Sequence, residues 1–335
     1  MMKLNLVVQG SAEDQAARTC MTHWEHDAGS LQFWRASSNF VYRYTRAGTR
    51  YYLRFASDED RTRDQLEAEL DFLTYLQQMG IPTVVPVSSA QGHRIVTIPD
   101  TPIGTLHAVT FTEATGHSLY LPHMTPHHLE QWGRSLALLH QQSAVYSPPD
   151  IGLRRPTWED ALEKVRSVLA EHPAETDATT ELLLVEKHLH TLPRSSSSFG
   201  LIHYDFELDN LFWNDRLRQF TAIDFDDALY HWYVMDIVSA TRELGSLPAD
   251  AAARAYSQFL QGYRSVMPID ESLWEQRDWF ERFQRLVRFA RVLRSLDDAE
   301  CSATPAWWEP LLAKLTHSLD EDRRRFRVSS ELAVR

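Results

Sequence analysis

Between residues 40 and 56 hydrophobic and polar positions alternate. Phe40, Tyr42 and Tyr44 stand at every second position, Ala47-Gly48-Thr49 interrupts the run, and Tyr51-Tyr52-Leu53-Arg54-Phe55 follows. Two β-rich runs around a glycine-containing turn predict a hairpin. The stretch 11–28 ahead of it is polar and predicts helix. After the hairpin the period changes. Leu66, Leu70 and Leu73 fall at i, i+4 and i+7, the spacing of one buried helix face, with Asp58 to Asp60 near the start and Gly80 and Pro82 as a stop. The apolar runs 93–98 and 105–112 predict further strands.

Beyond Gly116 the pattern is helical over 129–143, 158–170, 179–192, 234–243, 251–263, 273–296 and 309–326, interrupted by one β-like island at 199–225. The expected architecture is α+β and two-lobed. A small antiparallel-sheet lobe with one helix occupies residues 1–112, and a larger, mainly helical lobe occupies 113–335.

At 335 residues the chain is long enough for a packed core without metal or disulfide staples. Its 34 basic against 46 acidic side chains give a net charge of −12, the wrong sign for a nucleic-acid binder. No apolar run is long enough to span a bilayer and no signal-peptide core opens the chain, so a cytoplasmic location is expected. Cys20 and Cys301 form no Cys-x-x-Cys unit and read as reduced thiols. The histidines show no zinc spacing, and the Gly-x-Ser-x-Gly and P-loop patterns are absent.

The chemistry concentrates between His203 and Asp236. Asp205, Glu207, Asp209, Asp215, Asp224, Asp226, Asp227 and Asp236 face only Arg216 and Arg218, and they are interleaved with Ile, Leu, Phe and Trp. Carboxylates drawn among apolar residues are costly unless paired or metal-bound. His203-x-Asp205-x4-Asn210 sets an aspartate and an asparagine on one short loop, and Asp224 ends a second strand fourteen positions after Asn210. A hairpin turning at Asn214-Asp215 brings Asp205, Asn210 and Asp224 together. An Asn oxygen and a carboxylate suit Mg²⁺ bound to phosphates, and a second, metal-free aspartate can orient and deprotonate a hydroxyl.

His203-Tyr204-Asp205…Asn210 followed by Ile223-Asp224-Phe225-Asp226-Asp227-Ala228 resembles the catalytic loop and metal-binding strand of the aminoglycoside phosphotransferase and choline kinase-like family, whose members share the two-lobed protein-kinase-like fold. The resemblance covers residues 30–300, with clear motifs at 51–82 and 199–236. It implies an ATP- and Mg²⁺-dependent phosphotransferase, with Asp205 as catalytic base and Asn210 and Asp224 as magnesium ligands. His203 and Asp236 then hold the loop. Glu207, Asp209 and Asp227 are candidate contacts to the acceptor.

Such enzymes also need a cation on a strand for the nucleotide phosphates and a helix glutamate to hold it. The run 51–55 has no lysine, and Arg54 stands in its place. Glu69, on the apolar stripe of the following helix, is its expected partner. The segment 34–40 lacks the usual glycines, leaving Ser38 and Asn39 as candidate phosphate donors. By analogy the connector at Thr112 and Glu113 meets adenine. The acidic balance favours a cationic small-molecule hydroxyl acceptor. Two other readings carry the same motifs: a bacterial protein serine/threonine kinase, and a non-catalytic nucleotide-binding regulatory module. The short distance from Asp224 to Asp236 speaks against a long activation segment, and the intact Asp205, Asn210 and Asp224 speak against a decayed site.

Overall fold

The hairpin expected at residues 40–56 is present. In the computed structural model, strands β1 (Gln32–Ala36), β2 (Phe40–Arg46) and β3 (Thr49–Ser57) run antiparallel. Arg46 pairs with Thr49 across a two-residue turn in which Ala47 and Gly48 both take positive φ, 49° and 76°. That turn suits the strand twist, and Asp27 holds it by accepting from the N–H groups of Ala47 and Gly48. The alternation buries Phe40, Tyr42 and Tyr44 on one face, where Phe40 stacks on Phe55. β4 (Pro86–Val87), β5 (Val96–Thr101) and β6 (Gly104–Thr112) complete a six-stranded sheet in the order β1-β2-β3-β6-β4, with β5 also on β6.

The structure describes every residue except 12–13, 298–303 and 334–335, so Cys301 lies outside the described residues. Cys20 is buried as a free thiol. The N-terminal helix differs from expectation. Within 11–28 the helix is confined to the short α2 (Gln15–Met21), and a second short helix, α1 (Leu4–Ser11), precedes it; both pack on the open face of the sheet. Leu4 and Val7 of α1 are buried although so short an apolar run carries little periodicity.

α3 (Arg63–Gln78) begins with Thr62 and Gln65 in a capping box and ends at Gly80, whose φ is 77°. Its buried face carries Leu66, Leu70, Leu73 and Glu69. The C-terminal part contains α4 (Pro126–Ser143), α5 (Trp158–Glu171), α6 (Thr176–Leu189), α7 (Tyr233–Thr241), α8 (Ala249–Arg264), α9 (Glu271–Trp274), α10 (Arg277–Ser295) and α11 (Trp308–Ala333). The β-like island resolves into β8 (Phe199–Ile202), β9 (Leu211–Asn214), β10 (Gln219–Ala222) and β11 (Leu229–Trp232), with β7 (His117–Ser118) added to β9 and β11 paired with β8. Among the described residues no helix is long and apolar enough to cross a membrane.

His231 of β11 is fully buried, 4.7 Å from the Phe283 ring, and its Nδ1 accepts from the Trp232 N–H at 2.9 Å. Burial lowers its pKa to about 3. The unfolded chain therefore takes up a proton on this ring as pH falls through about 6.5, and the folded one does not until about 3. Stability from this group is complete above pH 6.5 and declines below it. Between pH 7 and 5 the loss is about 2 kcal/mol. Urea unfolding at the two pH values should show this loss in the wild type and not in His231→Phe. Equal pH slopes in both proteins would contradict the assignment.

Candidate active site

Asp236 organises the loop that carries most of the candidate residues. It is fully buried in α7 and accepts from the N–H groups of His203 at 2.8 Å and Tyr204 at 2.7 Å. Tyr204 takes a φ of 71°, a conformation costing of order 1–3 kcal/mol for a residue with a Cβ. Besides the Asp236 bond, Ser239 Oγ donates to the Tyr204 carbonyl at 2.7 Å. His203 Nδ1 accepts from the Asp205 N–H at 3.3 Å, so its Nε2 carries the proton and donates to the Ile223 carbonyl at 2.9 Å. One tautomer thereby ties the loop to the end of β10. Burial lowers the pKa of this ring and keeps it neutral.

Asn210 Nδ2 donates to Asp205 Oδ2 at 2.8 Å and to the Asp205 carbonyl at 3.0 Å. Its Oδ1 is consequently turned away, and that oxygen is buried without a hydrogen-bond partner. The Ile223 N–H donates to the Asn210 carbonyl at 3.0 Å, extending the β9–β10 pairing and bringing Asp224 beside Asn210. Asp224 sits at φ 64°, ψ 61°. Its carboxylate meets Arg35 at 2.7 Å and Arg54 at 3.5 Å. Arg54 in turn binds Glu69 at 2.7 Å, both side chains almost wholly inaccessible. The ion pair expected from the helix stripe is therefore present.

Burial, then the nearby Glu207 and Asp227, raise the Asp205 pKa to about 7. Burial and Asp226 also push Asp224 upward, against the pull of Arg54 and Arg35. Among the described residues no cation lies within ion-pair distance of Asp205, and beside the two carboxylates lies an amide oxygen with no donor. That is the donor set of a hard cation, and Asn210 Oδ1 and Asp224 fit Mg²⁺ as ligands. Among the described residues no three His, Cys, Asp or Glu side chains cluster to hold an ion alone. The fitting ion is one that completes its shell with phosphate and water.

Arg54, Glu69, Thr112, Glu113, Asp209 and Asp224 line one cavity of about 400 Å³. Its lining also includes Arg35, Tyr52 and Phe111. Thr112 is constrained: its N–H donates to the Val85 carbonyl at 2.9 Å and its hydroxyl accepts from the Val85 N–H at 3.1 Å. Glu113 pairs with Arg50 at 2.6 Å.

Ser38 and Asn39 depart from expectation. Asn39 is buried and donates to Asp226 at 2.7 Å, while Ser38 lines a second cavity, of about 150 Å³, with Tyr204 and residues 226–229. The tip of the β1–β2 turn is held to Asp226 through the Asn39 amide. Glu207 and Asp227 also have partners. Arg242 bonds Glu207, and Asp227 is gripped by Arg61 and by Arg291 at 2.6 Å. Burial disfavours the Asp227 charge, yet Arg291 and Arg61 hold its pKa well below the usual carboxylate range.

The residues that sequence reasoning missed are arginines: Arg35 on Asp224, and Arg61 and Arg291 on Asp227. Arg282, Arg285, Arg288, Arg291 and Arg294 recur every third position along α10, a spacing that turns each side chain about 60° from the last and so spreads the five around the helix onto different partners, with nothing in the sequence to single out Arg291.

The family model "Phosphotransferase enzyme family" (APH) matches residues 31–269. The amicoumacin kinase of Bacillus subtilis (strain 168) is 24% identical over 226 residues, which are 67% of this chain and 66% of that protein. Measured against it, the chain spans just under two thirds of the relative's length. A homoserine kinase of Caulobacter sp. (strain K31) is 31% identical over 263 residues, 76% of this chain and 74% of that one. The solved structure of the amicoumacin kinase hAmiN in complex with AMP-PNP, Ca²⁺ and Ami superposes with a TM-score of 0.78 at 22% identity, covering 95% of each chain. The fold is thus the two-lobed, protein-kinase-like one, and with a family match running from β1 into the helical lobe, this chain belongs to the APH phosphotransferase family.

Proposed function

We propose that the chain is a kinase that moves the γ-phosphoryl group of ATP to a hydroxyl of a small molecule. The observation that carries this reading is the meeting, at one end of the 400 Å³ cavity, of the Arg54–Glu69 ion pair with Asp224 and the Asp205–Asn210 pair beside it. In this reading Arg54, fixed by Glu69, binds phosphate oxygens through its fork of donors. Arg35 exchanges its bond to Asp224 for one to phosphate. Backbone groups near Thr112 and Glu113 flank the base, and Tyr52 and Phe111 give it apolar contact. Asn210 Oδ1 and Asp224 hold a divalent ion, which neutralises charge on the phosphates when bound. Asp205, steadied by Asn210, accepts the acceptor's hydroxyl proton and aims its oxygen.

Between Asp224 and α7 lie one 3-10 turn and the four-residue β11. So short a segment offers no platform for a protein substrate and favours a small acceptor. The amicoumacin and homoserine kinases among its relatives agree with that class. Of Glu207, Asp209 and Asp227, only Asp209 is without an arginine partner among the described residues and so open to a cationic acceptor.

Calorimetric titration with ATP, with and without Mg²⁺, tests the reading. Binding is expected with Mg²⁺, and it should weaken about tenfold or more in Arg54→Gln, which removes a charge-assisted bond. Absence of nucleotide binding under both conditions would defeat it.

A further inference from the structure

A cavity of about 490 Å³ opens between α7, the turn at Arg242–Ser246, α8, α10 and α11. Five arginines line it, Arg242, Arg277, Arg285, Arg288 and Arg325, against one acid, Glu281. They come from three separate elements, in a chain whose net charge is −12. Their counter-ions are too few. Asp322 takes Arg288 at 2.7 Å and Arg285 only at 4.0 Å, and Glu207 takes Arg242. Among the described residues no carboxylate lies within ion-pair distance of Arg277 or Arg325, and Arg277 instead stacks over Trp274. Burial, then the neighbouring Arg325, lower the Arg285 pKa against the pull of Asp322, Glu181 and Glu281. Part of the wall is apolar, formed by Val238, Leu244, Ala252 and Ala253.

We infer that this cavity binds a small organic anion, its carboxylate or phosphate held by Arg285, Arg288 and Arg325 and its body against the apolar wall. Guanidinium forks suit both head groups. The occupant has two sources, an acceptor alcohol that itself carries an acidic group, or an anion that binds without reacting. The cavity touches the catalytic loop in either case: Arg242 bonds Glu207, and Gln284 donates to Ser239, which holds the Tyr204 carbonyl.

The test is calorimetric titration of the full chain with succinate, with malate and with inorganic phosphate at low ionic strength. At least one is expected to bind, with affinity falling tenfold or more in Arg325→Gln and in Arg285→Gln. Arg216→Gln, an exposed arginine in the β9–β10 turn, removes the same charge elsewhere and should bind as the wild type does. Arg325 is exposed on α11, so its variant keeps the test sound should Arg285→Gln fold poorly. Release of ADP from MgATP with malate but not succinate identifies the occupant as an acceptor. Binding of both without ADP release identifies a non-reacting anion. No binding of any probe, or equal weakening in all three variants, overturns the site. ATP titrated into Arg325→Gln should bind as in the wild type, which separates this outcome from any failure of the nucleotide site.

Discussion

Asp205→Asn is expected to lower turnover by about 10²- to 10⁴-fold, the usual contribution of a positioned general base, while leaving Mg²⁺-dependent ATP binding close to wild type. The two outcomes separate because Asp205 does not touch the Arg54–Glu69 pair and is not one of the two proposed ion ligands. The substitution changes little but charge. Asn has the shape of Asp, and its side-chain oxygen can still accept from Asn210 Nδ2, the bond seen at 2.8 Å. Burial and the carboxylates around it raise the Asp205 pKa to about 7, so this group exchanges a proton near neutrality, where a base is most useful. The amide cannot do so. The measurement is ADP release in a coupled assay with an alcohol that the wild type phosphorylates, paired with ATP calorimetry on the same preparations. Turnover within about threefold of wild type would remove Asp205 from the role of base. Loss of ATP binding together with turnover would mean that the loop, rather than the base, had been disturbed.

The parts of this site legible in the sequence are those whose partners are close along the chain or fixed by a period. His203, Asp205 and Asn210 fall on one loop, and a short hairpin returns Asp224 to them, so spacing alone predicts the meeting. Glu69 was legible because a carboxylate on the stripe Leu66, Leu70, Leu73 demands a buried cation, and Arg54 lies one element away. The arginine clamps were not legible, since Arg35 reaches Asp224 across 189 positions and Arg61 reaches Asp227 across 166. No local rule selects among 34 basic residues at that range. The same holds for Asn39. Its amide was free to serve a phosphate as far as the sequence could tell, and the fold commits it to Asp226 across 187 positions. In the fold, long periodic helices and the aromatic hairpin were readable. The eight-residue α1 was not, because one and a half apolar turns are held by the sheet beneath and not by their own pattern.

Gly133→Ala is expected to destabilise the protein by roughly 2–3 kcal/mol, although alanine favours a helix interior by about 1 kcal/mol over glycine. The reason is a reciprocal backbone contact between α4 and α8. A Cβ on Gly133 would stand 1.9 Å from the Phe259 carbonyl oxygen, and one on Gly262 would stand 1.8 Å from the Glu130 carbonyl oxygen. Both obstacles are main chain inside helices, so no side chain can swing aside, and relief requires the helices to separate. Separation would disturb more than packing. Trp132, beside Gly133, is fully buried against Phe259 and donates to the Phe206 carbonyl at 3.2 Å, one residue after Asp205. Moving α4 therefore pulls on the catalytic loop, and Gly262→Ala should act in the same direction. Gly245→Ala supplies the contrast: nothing lies within 4 Å of its added Cβ and its backbone needs no positive φ, so a change within about 0.5 kcal/mol is expected. Urea midpoints of the three variants decide the matter. A Gly133→Ala protein as stable as Gly245→Ala would show that α4 and α8 tolerate a wider spacing than their contact implies.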